Sequence, residues 1–157
     1  MNQLRERTAR STRPLPDEVV VDEPQTRRLG TSASLRVLGA IAVLVVGAVH
    51  LEQYFGVHFN VVPVIGPLFL LNFIAATVIG LGLLIPQARM RAVHVLLALG
   101  GIGLAATSFA FLLISERRPL FGFQDYGYRA AIIIALAAEA AAALLLAAYL
   151  TARPRRA

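Results

Sequence analysis

A polar stretch of 32 residues is followed by four long apolar runs separated by short breaks. The runs cover 34–54, 64–85, 92–115 and 130–150. A helix needs about 20 mostly apolar residues to cross a hydrocarbon core about 30 Å thick, and each run has that length. Inside lipid the backbone must satisfy its own hydrogen bonds, and Ala, Leu and Gly in runs this long do not suit strands, so the pattern predicts helices. The fold class expected is therefore all-α, a four-transmembrane-helix bundle with a disordered N-terminal tail. Its parts are a tail at 1–32, a transmembrane domain at 33–152 and a short C-terminus at 153–157.

Composition supports this division. Of 157 residues, 57% are hydrophobic and 15% charged, against about 25% charged in an ordinary soluble domain. Half of the charges lie in the first 36 residues. The tail's one apolar run, Val19-Val20-Val21, is too short to build a core. The first long run starts too far along the chain, and is too long, for a cleaved signal peptide, so it is expected to stay as the first span.

Arginine placement gives the orientation. Twelve Arg fall on the side of the two termini and three (Arg117, Arg118 and Arg129) on the other. Both termini are therefore expected in the cytoplasm of a bacterial plasma membrane. Eleven of the twelve Phe and Tyr lie toward the opposite, outer side. Simple interfacial anchoring accounts for that bias. A sharper reading folds the loop Phe121–Tyr128 back as a lid over an outer pocket.

Few side chains carry chemistry. There is no Cys, which excludes disulfides, thiol catalysis and Cys-held metal clusters. Catalytic triads, phosphate loops and zinc-binding His motifs are missing, so no catalytic residue is assigned and an enzyme is not the expected class. No metal and no cofactor is assigned. His50, Glu52 and His58 lack metal-ligand spacing, and His94 lies a membrane thickness from His50, too far to share a haem with it. Gly80, Gly82 and the Gly100-Gly101-Ile102-Gly103 stretch are read as close-packing positions between helices.

Glu139 stands apart. It lies about ten residues into the fourth run, where a charged side chain costs about 2.5–3.5 kcal/mol, so the carboxyl must be protonated, paired or hydrated. Ala135 and Ala143 share its face, leaving room for a neighbouring helix. At about 1.5 Å of rise per residue, His50, Asn72 and the Thr107-Ser108 pair come to similar depth. The candidate polar cluster is His50, Asn72, Thr107 and Glu139. A neutral acid bonded between helices is its plain reading, and a proton or ion relay its sharper one.

The segments His50-Leu51-Glu52-Gln53-Tyr54, Ile65-Gly66-Pro67-Leu68-Phe69-Leu70-Leu71-Asn72 and Phe121-Gly122-Phe123-Gln124-Asp125 resemble small four-helix integral membrane proteins of actinobacteria. That likeness covers most of 36–150 and implies a four-span fold but no particular activity. A looser likeness is to DoxX-like four-helix proteins, which are linked to redox physiology, with no residue matching one for one. Three functions follow as expectations. The first is a non-enzymatic accessory or structural membrane subunit. The second is a small proton- or ion-coupled transporter using Glu139 and His50. The third is a redox-associated protein binding quinone or haem. The partners expected are the lipid bilayer and other membrane subunits or further copies of the chain, but not nucleic acid.

Overall fold

The computed structural model describes residues 23–86, 90–122, 124 and 129–152, the first seven of these as backbone. The described residues form four α-helices: α1 (Glu23–Gly56), α2 (Ile65–Leu84), α3 (Arg91–Ser115) and α4 (Ala130–Thr151). A 3-10 turn, Phe59–Val61, lies between α1 and α2. All four helices are long and apolar enough to cross a membrane. The last three agree with the apolar runs to within a residue at either end.

The first helix does not. It begins at Glu23, well ahead of the apolar run, so residues 23–32 continue the helix rather than belonging to an unstructured tail. Pro24 does not oppose this, because a proline in the first helical turn lacks only an N–H that would have no intrahelical partner. The rest of the expected tail, 1–22, lies outside the described residues, as does 153–157.

α2, α3 and α4 each bury one narrow stripe, whereas α1 buries a broader face that includes Ala40, Ala42, Val43, Val46 and Gly47. In α4 the stripe reads Ile132, Ala135, Glu139, Ala142, Leu146 and Tyr149. In α3 it reads His94, Ala98, Gly101, Ala105 and Ser115. Steps of three and four average 3.5 residues, the spacing of helices packed at shallow angles. The outward faces are equally apolar: Leu71, Val78, Leu96 and Leu144 are all more than half exposed. Apolar side chains on every face suit a bundle surrounded by lipid.

α1 packs closely on α2 and α4, and α3 packs on α4. The seam between α2 and α3 is the loosest between neighbours, and α1 scarcely meets α3. Glycines allow the close approaches. A Cβ on Gly47 would stand 2.9 Å from the Ala76 Cβ, and one on Gly101 would stand 2.7 Å from Leu146 Cδ1. Gly80 and Gly82 are similarly close to Leu44 and Leu97. Gly103, expected to share this role, has nothing within 4 Å.

The end of α2 is tied down by side chains. Pro86 forces Ile85 into extended backbone, φ −62° and ψ 137°. The carbonyls freed there need donors. Arg36 Nη1, from α1, donates to the carbonyls of Leu83 and Ile85. The buried His94 ring spans the turn, Nε2 lying 2.9 Å from the Ile85 carbonyl and Nδ1 3.0 Å from that of Met90. His94 is thus a structural residue at the terminal end of the bundle, remote from His50.

Candidate functional site

At the other end the helices enclose a cavity of about 320 Å³. Small residues of α4 open it, because Ala131 and Ala135 leave space that a larger side chain would fill. Most of its wall is apolar, including Phe69 of α2, Phe111 of α3 and Ile132 of α4. Phe59 lines it from the turn between α1 and α2. Its placement depends on the chain reversal after α1, where His58 takes left-handed backbone, φ 63°, and Val64 also has a positive φ, 67°. That conformation strains a β-branched residue such as Val64. Phe59 is held by the Phe69 ring at 5.2 Å and by the Arg129 guanidinium 5.9 Å from its centroid. Arg129 also donates to Gln53 Oε1 at 3.4 Å.

Polar side chains meet at the floor, and Ser108 is where they join. Asn72 Nδ2 donates to Ser108 Oγ at 2.9 Å. His50 Nε2 lies 3.0 Å from the same oxygen. The Glu139 carboxyl, 2% exposed, lies beside Ser108. Of the four residues expected to cluster, His50, Asn72 and Glu139 come together. Thr107 does not join them. It lines the cavity from an exposed position, while its neighbour Ser108, one residue further round α3, takes the central place. The signal for this was in the sequence: Ser108 is seven residues beyond Gly101 and three beyond Ala105, on the small-residue stripe.

Proton counting shows what this arrangement can do. His50 Nδ1 lies 2.9 Å from the Val46 carbonyl, which only accepts, so Nδ1 carries a proton. A neutral His50 therefore accepts at Nε2 from the Ser108 hydroxyl. Ser108 then has two lone pairs left. One accepts from Asn72 and the other from a protonated Glu139. A second state is equally complete: a protonated His50 donates to Ser108, and Ser108 donates to an ionised Glu139. In both, Ser108 donates once and accepts twice. Two short hops through the hydroxyl convert one state into the other, carrying a proton between Glu139 and His50.

Two atoms stay outside this network. Asn72 Oδ1 and Glu139 Oε2 are buried and without a partner, and both residues line the cavity. Both ring nitrogens of His50 are engaged, leaving none free to ligate a metal. Among the described residues no three His, Asp or Glu converge. Of the loop expected as a lid, the Phe121 ring packs 6.1 Å from Phe111, and Leu120, just before that loop, lines the cavity. Phe123 and Asp125–Tyr128 lie outside the described residues. Compared with known proteins, the chain matches no family model, no curated protein and no solved structure.

Proposed function

We infer that this is a small multi-pass protein of the bacterial plasma membrane, both termini cytoplasmic, that holds a small ligand in the outer half of its bundle and couples its binding to the protonation of Glu139. The observation that carries this reading is the pair of unpartnered acceptors, Asn72 Oδ1 and Glu139 Oε2, on the floor of a cavity with apolar walls. A buried acceptor without a donor costs about 1–3 kcal/mol. A ligand with donors in its head and an apolar body relieves that cost. Apolar walls with a few convergent polar groups are the usual makeup of small-molecule sites.

The terminal half of the bundle argues against a conducting pore. Between Glu139 and that end, Ala98, Ala142, Leu146 and Leu83 are fully buried and apolar. This dry plug favours a binding protein, or an accessory subunit that presents its ligand to a partner, over a channel.

Infrared spectroscopy of the purified chain tests the reading. The protonated-carboxyl band of Glu139 should be present in the wild type, change with pH and vanish in Glu139→Gln. A band that never responds to pH would make the acid a structural bond alone and remove the proton-coupling role.

A further inference from the structure

The polar floor also selects the kind of ligand, given the proton-coupling reading above. Every donor in the network is spoken for by Ser108 or Val46 except the second N–H of Asn72. Two buried acceptors are left without a donor, Asn72 Oδ1 and Glu139 Oε2. A hydroxyl head brings one donor to two acceptors. An ammonium head brings up to three donors and no acceptor. Two further features of the cavity suit a cation. Phe59, Phe69 and Phe111 line it, and aromatic rings attract cations most where water is excluded. Glu139, once ionised, supplies the counter-charge that a buried cation requires.

We propose that the cavity binds a lipophilic amine as its ammonium ion, with Glu139 giving up its proton as the amine enters. In the empty site Glu139 holds a proton and donates it to Ser108. The ammonium takes that proton's place beside the carboxylate, its N–H groups reaching Glu139 Oε2 and Asn72 Oδ1 while its apolar body lies among the rings. The displaced proton leaves to solvent, one for each cation bound, and charge in the cavity is conserved. The titratable group facing Glu139 from α1 is His50. Asn72 of α2 and Ser108 and Thr107 of α3 do not titrate. Arg129, at the start of α4, is drawn aside to Gln53 and Phe59.

The loose seam between α2 and α3 provides a route from the bilayer. Leu71 and Phe111 line the cavity there and are 61% and 37% exposed. A lipid-dissolved amine can enter sideways.

The test compares two molecules of nearly the same shape, 2-naphthylmethylamine and 2-naphthylmethanol, on the full-length chain in detergent. Binding is followed by naphthyl fluorescence and proton release by an indicator dye in weak buffer. The amine should release about one proton per molecule bound. Its affinity should fall about tenfold for each pH unit lowered through the range where Glu139 is protonated. The alcohol should release none and bind at least tenfold more weakly. Glu139→Gln should abolish the release, and Ala75→Phe, at a cavity-lining position one turn along α2 from Leu71, should weaken binding. Alcohol bound as tightly as amine, or amine bound without proton release, overturns the proposal. If the infrared band of Glu139 still responds to pH in that case, only the amine class falls. If the band is inert as well, the proton-coupling reading falls with it.

Discussion

Replacing Ser108 with alanine separates the hydrogen-bond network from the rest of the packing. The change removes one oxygen and leaves the cavity slightly larger, with no new clash. Two bonds go with it, those of Asn72 and His50, together with the contact to Glu139. Interhelical hydrogen bonds in membrane proteins average about 0.6 kcal/mol and reach about 1.7. Two bonds and the contact come to about 1–2 kcal/mol. Stranding donors in a dry site moves the value upward, toward about 3 kcal/mol. Thr107→Ala is the control, because it removes a hydroxyl of the same depth from an exposed position. It should change stability by less than about 0.5 kcal/mol. Reversible unfolding in mixed detergent micelles, followed by tyrosine fluorescence, measures both. Equal effects from the two substitutions would refute the central role of Ser108 and with it the proton path between Glu139 and His50.

Three other outcomes are expected. Gly47→Ala, whose new methyl would lie 2.9 Å from the Ala76 Cβ, should destabilise by about 1–3 kcal/mol, whereas Gly103→Ala, with open space around it, should stabilise by about 0.5–1 kcal/mol; the same unfolding assay reads both. Arg36→Leu strips donors from the Leu83 and Ile85 carbonyls and should cost about 1 kcal/mol, read as faster proteolysis at the turn between α2 and α3. A topology reporter fused after Ala157 should read cytoplasmic and one inserted at Gly56 extracytoplasmic, and the reverse pattern would overturn the orientation drawn from arginine placement.

Hydropathy alone was enough to locate the helices, because a run long enough to cross lipid leaves the backbone one choice. It was blind to α1 before residue 30, where Pro24, Arg27 and Arg28 give no apolar signal and the helix extends past the span. Depth along each helix was also legible, since rise per residue is fixed, and it brought His50, Asn72 and Glu139 to one level. Rotation about the axis was harder. Thr107 and Ser108 differ by only 1.5 Å in depth but by about 100° in direction. Depth could not choose between them, whereas the stripe through Ala98, Gly101 and Ala105 does. The 3-10 turn and the cavity-lining Phe59 it carries were not legible at all. They rest on positive φ at His58 and Val64, residue types that give no warning of it.

The dry plug below Glu139 has an electrical consequence. A membrane voltage drops across whatever insulates, and here the insulating layer is the packed half of the bundle around Leu83, Ala142 and Leu146. Moving one elementary charge through the whole field is worth about 2.3 kcal/mol at 100 mV. A proton or cation arriving at Glu139 from the loop end crosses only the smaller part of that field. Occupancy of the site should therefore follow the chemistry at the loop end more closely than the membrane potential.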